Sequence, residues 1–252
     1  MRGICLVTGA AGGIGKSVVR RLANDGHQVL AADISLDAAE ASIAGIPGSG
    51  HQAIALDVAN ESAVIAAFAE AEKKGTPIHQ VVAAAGILLF ASNGDRPRIV
   101  DIDLASWDKT QTVNSTGTFL LLREFLRSAD RGKVENGRFI GFSSVAAQLG
   151  GYRSSAAYIA SKGAVMALVK AGAREAAHLG ITVNAVAPGL IDAPMLRQSL
   201  SPENDASVAV NIPLNRIGTP EDIAGAVAYL MSSDAAYVTG AMIDVNGGYR
   251  MQ

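Results

Sequence analysis

The sequence predicts a single α/β domain: a doubly wound parallel sheet flanked by helices on both faces. Short, continuously apolar runs alternate with stretches of helical apolar periodicity from Ile4 to Val186. Strands buried on both faces read as continuous apolar runs, and sustained β–α–β alternation with right-handed crossovers gives a parallel sheet. A chain of 252 residues with 49% hydrophobic content is also long enough to bury one large core. Residues 1–252 show no internal repeat, low-complexity tract or linker, so the whole chain is expected to be one domain.

Ile4–Val7 is the first strand and ends at the glycine loop Thr8–Gly15. Apolar residues at helical spacing follow from Lys16 to Asp25, stopped by Gly26. A second strand, Gln28–Ala32, ends at Asp33, and Ser35 is an N-cap for a helix over Leu36–Ala44. After a third strand, Gln52–Leu56, Asn60 caps Glu61–Lys74, which carries Ala63, Val64, Ala67, Phe68 and Ala71 on one stripe. Gln80–Ala84 is the fourth strand, and the polar loop Ser92–Asp101 leads to a long helical pattern from Ser106 to Arg127. Gly137–Phe142 is the fifth strand. A helix over Ser155–His178, stopped by Gly180, precedes the sixth, Ile181–Val186. Residues 188–215 are irregular, with four prolines and the apolar Leu190, Ile191, Met195 and Leu196; a loop this long is expected to be a lid over a site. Thr219-Pro-Glu-Asp222 opens the last helix with an N-cap, proline at the first helical position and acids in the first turn, and Ala241–Val245 closes the sheet.

Composition excludes several classes of function. A net charge of -2, a pI near 6.1 and no dense basic run leave no electrostatic footprint for nucleic acid or an anionic membrane, so a small molecule is the expected partner. The single cysteine, Cys5, lies in an apolar stretch, reads as core and fits a reducing compartment. The longest apolar run, Val81–Ala91, is about half the ~20 residues of a membrane span, and a cytoplasmic protein is expected. His27, His51, His79 and His178 are scattered without metal-site spacing, so no structural metal is expected.

The loop after the first strand identifies the cofactor class. Gly9, Gly13 and Gly15 remove side chains where backbone N–H groups and the positive end of the next helix would meet a pyrophosphate. Asp33 ends the next strand about 20 residues on, where a carboxylate holds the ribose hydroxyls of an adenine dinucleotide. A tight turn and an incidental surface aspartate would not explain this joint placement. A carboxylate accepts hydrogen bonds from a free 2′-hydroxyl and repels a 2′-phosphate, so NAD is expected over NADP; Ile34 follows where an arginine would serve the phosphate, and Lys16 is the nearest basic residue.

Tyr158 and Lys162 stand four apart on a predicted helix and share one face. An ammonium there favours an ionised phenol; bringing a tyrosine from about 10 to near neutrality takes about 4 kcal/mol, which positive charge in a dry cleft can supply. On spacing alone, the pair also fits a solvated helix face.

Together these motifs resemble the short-chain dehydrogenase/reductase family over essentially the whole chain, with its Rossmann-like fold. Thr8-Gly9 with Gly13-Ile14-Gly15 is similar to the family's cofactor loop, Asp57-Val58 to its adenine-contacting pair and Asn114-Ser-Thr-Gly117 to its helix asparagine. Ser143-Ser144-Val145 resembles the catalytic serine, Tyr158 to Lys162 the active-site helix, and Pro188-Gly189 with Ile191 the stretch that fixes the nicotinamide. Arg216 to Asp222, Tyr237 to Gly240 and Asn246-Gly-Gly248 fit the C-terminal third. Ala84, Ala85 and Gly86 fall in the nicotinamide-side motif, where Ala83-Ala84 replaces the common Asn-Asn; Ala193 stands where a threonine often bonds the carboxamide.

The resemblance implies that Tyr158 exchanges a proton with the substrate oxygen while hydride passes between substrate carbon and nicotinamide. Ser144 would hold that oxygen, Lys162 would lower the tyrosine pKa and hold the nicotinamide ribose, and Asn114 would anchor a water relaying protons. Ser143 is the alternative to Ser144, and Asn114 also reads as a polar residue interrupting a helix. The expected activity is an NAD-dependent interconversion of a secondary alcohol and a ketone. The alternatives are a 3-oxoacyl-(acyl carrier) reductase, which would normally use NADPH, and a dinucleotide-binding regulator without chemistry.

Leu88, Leu89, Phe90, Leu149, Tyr152, Met195 and Leu196 are expected at the cleft, giving an apolar substrate site. Arg96, Arg98, Arg153 and Arg197 read as solvated loop charge, with a carboxylate or phosphate of the substrate as the other reading. A homotetramer is expected. The Tyr158 helix is apolar or small on too many faces for a monomer, and the helix with Phe119, Leu120, Leu121, Leu122 and Phe125 is similarly rich.

Overall fold

The computed structural model describes residues 4–91, 94–151 and 153–251. Seven strands are present among them: β1 Ile4–Thr8, β2 Gln28–Asp33, β3 Gln52–Ala55, β4 Ile78–Ala83, β5 Arg138–Phe142, β6 Thr182–Pro188 and β7 Met242–Val245. They form one parallel sheet in the order β3-β2-β1-β4-β5-β6-β7. The order reverses between β1 and β4, and that switch point leaves a crevice at the carboxyl ends of the strands.

Strand alternation divides the core between two faces. Ile4 and Leu6 join a cluster with Phe68, Leu121, Phe125 and Val165, whereas Cys5 and Val7 join one with Val18, Leu22, Ile223 and Val227. The first face is covered by α3 Glu61–Lys73, α5 Gly117–Asp130 and α7 Ala156–Ala176, the second by α1 Gly13–Asn24 and α10 Pro220–Met231. Because both faces are covered, the strands are apolar at successive positions. Burial pushes the Cys5 thiol far up, so this cysteine is an unreactive core residue.

The capping residues behave as their chemistry predicts. Ser35 accepts from the Ala38 N–H at the start of α2 (Leu36–Ile43), Asn60 from the Ala63 N–H at α3, and Ser155 from the Tyr158 N–H at α7. Thr219 and Asp222 form a reciprocal capping box on α10, and Asp222 also receives both Arg216 Nη groups at 2.7 and 2.8 Å.

Several features differ from the sequence expectation. The fourth strand begins two residues early, at Ile78, and the sixth runs on to Pro188, which occupies the strand end beside Val245. The long fifth-strand approach starts at Leu104 and is not one regular helix: α4 (Leu104–Gln111) passes through a π turn, Thr112–Thr116, into α5. A short helix, α6 (Val145–Leu149), follows Ser144. The expected lid is partly ordered, with α8 Pro194–Arg197 and α9 Asp205–Ala209. Ser92 and Tyr152 lie outside the described residues. Among the described residues no helix is long and apolar enough to cross a membrane, and no three His, Cys, Asp or Glu side chains are grouped to hold a metal ion.

Candidate active site

The glycine loop leaves β1 at Thr8 and enters α1 at Gly13. Gly12 caps α1 without a side-chain hydrogen bond, so the first-turn N–H groups face outward at the positive helix end. Three close approaches account for the glycines. A Cβ on Gly15 would collide with the Gly9 carbonyl oxygen; one on Gly9, whose φ is +66°, would lie 2.9 Å from Ala85 Cα; one on Gly13 would lie 2.9 Å from Pro194 Cδ. The last contact shows the α8 segment lying across the loop. Asp33 at the end of β2 accepts the Ala11 N–H at 3.0 Å and the Ile34 N–H at 2.9 Å, which fixes its carboxylate beside the loop. Ile34 is 76% exposed, and Lys16 lies on the exposed side of α1. Asp57 bends its own chain by accepting the Ala59 N–H at 2.9 Å, and Val58 is buried against Gly117. These residues fit an adenine dinucleotide: an uncapped helix end, a side-chain-free loop and a fixed carboxylate stand at the switch point.

Four polar side chains gather at the carboxyl ends of β4 and β5. Asn114 is fully buried in the π turn, where its amide accepts the Ile87 N–H at 2.8 Å and donates to the Ile87 carbonyl and the Ser161 hydroxyl, both at 3.0 Å. It therefore clasps the segment that follows β4 to α7, across long sequence separations. The Ser144 hydroxyl stands beside the Tyr158 phenol and accepts the Ala146 N–H at 3.2 Å. Ser143 turns away and donates to the Lys162 carbonyl at 3.0 Å. Lys162 Nζ donates to the Phe142 carbonyl at 2.9 Å and lies 5.7 Å from the Tyr158 ring centroid. A Cβ on Gly86 would sit 3.3 Å from both Lys162 Nζ and Asn114 Oδ1, so this glycine leaves room beside the ammonium.

Burial pushes the Tyr158 phenol up, and the neighbouring Ser144 hydroxyl offsets only part of that rise. Burial pushes the Lys162 ammonium down to about 8. The lowering of Tyr158 expected from Lys162 is thus not realised in this arrangement, because Nζ is directed at the Phe142 carbonyl and desolvation dominates. The phenol is held protonated, with Ser144 as the group that eases its ionisation.

A cavity of about 340 Å³ joins these groups to the cofactor loop. Its wall includes Ile14, Ala84, Gly86, Ser144, Tyr158, Lys162, Pro188, Gly189, Ile191 and Ala193. Gly189 is required by close packing, since a Cβ there would lie 2.7 Å from Asn246 Cβ. Ile191 bridges Gly218, which ties the wall to the Arg216–Asp222 cap. Ala85 lies just behind the wall, with its N–H donated to Thr8 Oγ1 at 3.3 Å. Leu88, Leu149, Met195 and Leu196 line the cavity as expected from sequence, but Leu89 and Phe90 instead line a second cavity with Arg96 and Arg98. Val208, Asn211 and Tyr249 complete the first wall from the C-terminal third, where no motif or periodicity singles them out.

A doubly wound sheet with a glycine-loop dinucleotide cradle beside a Ser/Tyr/Lys cluster defines a nicotinamide-type oxidoreductase. Comparison with known proteins narrows the class. The family described as enoyl-(acyl carrier protein) reductase matches residues 9–250. The chain is 36% identical to a 2-(S)-hydroxypropyl-CoM dehydrogenase of Xanthobacter autotrophicus, over 97% of this chain and 95% of that one. It is 35% identical to the 3-oxoacyl-acyl-carrier-protein reductase MabA of Mycobacterium bovis, over 98% and 92%. A solved structure provisionally identified as a gluconate dehydrogenase of Agrobacterium tumefaciens superposes with a TM-score of 0.88 at 30% identity, covering 98% and 95% of the two chains. The chain belongs to the short-chain dehydrogenase/reductase family, whose members are oxidoreductases acting on CH–OH groups with nicotinamide dinucleotides.

Proposed function

We propose that the protein is an NAD(H)-dependent oxidoreductase interconverting a secondary alcohol and a ketone, with Tyr158 as general acid and base. One observation carries this reading: Ser144, Tyr158 and Lys162 line the same cavity that Ile14 of the glycine loop enters. A nicotinamide held there supplies or removes the hydride.

The chain's own residues do the rest. Ser144, beside the phenol in the same cavity, presents its hydroxyl to the substrate oxygen and fixes it beside Tyr158. In the reducing direction the protonated Tyr158 donates to the developing alkoxide; in the oxidising direction it takes the hydroxyl proton. Lys162 holds positive charge beneath the ring and is placed for the nicotinamide ribose, and Asn114 next to it clasps α7 and marks the route of proton return. Gly9, Gly13, Ile14 and Gly15 would hold the pyrophosphate, Asp57 and Val58 the adenine, and Ala84, Ala85, Gly86, Pro188, Gly189 and Ile191 the nicotinamide. Asp33 decides the nucleotide: its carboxylate accepts from a free 2′-hydroxyl and repels a 2′-phosphate. The cytoplasm, a homotetramer and no metal complete the proposal.

A 3-oxoacyl carrier reductase is the second reading, favoured by the name of the Mycobacterium bovis relative. Asp33 opposes it to the extent that such an enzyme needs NADPH. A non-catalytic regulator is disfavoured by the intact Ser/Tyr/Lys set. The test is turnover of a panel of ketones and secondary alcohols with NAD(H) and NADP(H), followed by nicotinamide absorbance. NAD(H)-linked turnover that disappears in Tyr158→Phe supports the reading; no turnover of any member with either nucleotide refutes it.

A further inference from the structure

We infer that the substrate is a small alcohol or ketone carrying a carboxylate, which Arg153 holds at the rim of the catalytic cavity. This rests on the reading of that cavity as the site of chemistry.

The four arginines that surround the cleft in sequence separate cleanly in space. Arg98 is paired with Asp101, at 2.6 and 3.0 Å. Arg197 grips Asp205 with both Nη groups, at 2.6 and 2.8 Å, and Asp192 with Nε at 2.8 Å, so its fork is fully used. Arg96 lines the second cavity and donates to the Gly151 carbonyl. Arg153 alone of the four lines the catalytic cavity. It is exposed, and among the described residues no carboxylate lies within ion-pair distance of it. Its Nη1 donates to the Ser199 carbonyl at 2.9 Å, which leaves the Nε/Nη2 edge for a ligand.

The rest of the wall sharpens the inference. Among the described residues no Asp or Glu lines the cavity, and the only other charged residue in its wall is Lys162, which is buried and donates to the Phe142 carbonyl. Leu88, Leu149, Met195 and Leu196 make much of the remainder apolar. The cavity thus holds uncompensated positive charge at its rim beside an apolar interior, which suits a short apolar ketone ending in an anion. A planar carboxylate matches the free edge of a guanidinium with two parallel charge-assisted bonds. Arg153 also stands two residues before the Ser155 cap of α7, whose first turn carries Tyr158, so an anion there fixes the carbonyl relative to the phenol. A neutral methyl ester gains nothing from this arginine, so comparing an acid with its ester isolates what the guanidinium contributes.

The experiment is calorimetric titration of NAD-loaded enzyme, in which a ketone cannot be reduced, with acetoacetate, 4-oxopentanoate and 5-oxohexanoate, each against its methyl ester, at low and high salt. At least one acid is expected to bind about tenfold or more tightly than its ester at low salt, with the gap shrinking as salt rises. Arg153→Ala should remove the gap and leave ester and NAD binding nearly unchanged, and Arg153→Lys should keep part of it. Equal binding of every acid and ester by the wild type, or a gap that survives Arg153→Ala, overturns the proposal. The readout is binding, so it stands apart from catalysis: absent ketone reduction with an intact acid preference would sink the assigned activity and spare the subsite.

Discussion

The Ser144 hydroxyl stands beside the buried phenol of Tyr158, and it is the one neighbour that pulls that phenol's pKa down against its burial. Ser144 therefore has two tasks in the proposed reaction, orienting the substrate oxygen and easing ionisation of the base. Ser144→Ala is expected to lower kcat about a hundredfold and to move the alkaline rise of alcohol oxidation to higher pH. Tyr158→Phe should lower turnover by about 10³-fold or more while NADH binding persists, because the ring's packing is retained. Nicotinamide absorbance gives the rates across pH, and fluorescence titration gives the binding. A Ser144→Ala profile that falls in height without shifting would remove the second task.

Asp33, anchored by two backbone N–H groups, makes nucleotide choice a local electrostatic question. Wild type should prefer NADH over NADPH in kcat/KM. Asp33→Ala with Ile34→Arg should reverse the preference by removing repulsion and adding a phosphate partner. Ile34 is exposed, so Ile34→Arg by itself should leave stability within about 0.5 kcal/mol. A wild-type preference for NADPH would disprove this account and point to Lys16.

These two sites were not equally legible in the sequence. The glycine loop and Asp33 are local features, spelled by a strand, a loop, a helix and the next strand end, and chain order alone places them. Tyr158 and Lys162 share a helix face for the same reason. Asn114 is different: a π turn carries it inward between Ile87 and Ser161, and regular helical spacing carries no trace of that insertion. The cavity wall is different again. Leu88 lines it while its neighbours Leu89 and Phe90 line another, and Val208, Asn211 and Tyr249 arrive from the far end of the chain. Short helices such as α6 and α8 depend on what they pack against, so periodicity over four or five residues could not announce them.

The proposed oligomer rests on what α7 leaves uncovered. Ala160, Ala164, Ala167 and Ala171 are exposed along one stripe, and a Cβ on Gly163 would meet nothing within 4 Å. The richness of α5 has a different explanation from the one its sequence suggests: Leu120, Leu121, Leu122 and Phe125 are buried in the subunit's own core, and Phe119 alone of the five is exposed, at 43%. Small residues on α7 let a second copy approach closely around a twofold axis. Sedimentation equilibrium at micromolar concentration should give a tetramer of the 25.8 kDa chain, and Ala164→Arg should shift it to smaller species. A monomer in the wild type would refute the expectation; a stable dimer would remove only the second interface.

Lys162 should cost the nucleotide-free protein stability, because burial drives its ammonium from 10.5 down to about 8. Below pH 8 both the folded and unfolded states carry the proton, and the full penalty of burying the charge is present. Between pH 8 and 10.5 the unfolded state binds more protons than the folded one, so stability rises with pH across that window. Raising the pH from 8 to about 9.5 should recover about 2 kcal/mol, or roughly 5 °C in Tm for a chain of this size. Lys162→Met removes the titrating group, so its Tm should lack this rise, and at neutral pH the variant should melt above wild type while losing turnover. The buried Cys5 thiol acts in the opposite sense, since unfolding frees it to ionise above its ordinary 9.0, but it is common to both proteins and cancels in their difference. Calorimetric scans of the two proteins at matched pH measure that difference, and a constant gap between pH 8 and about 9.5 would show that Lys162 is not desolvated in the nucleotide-free fold.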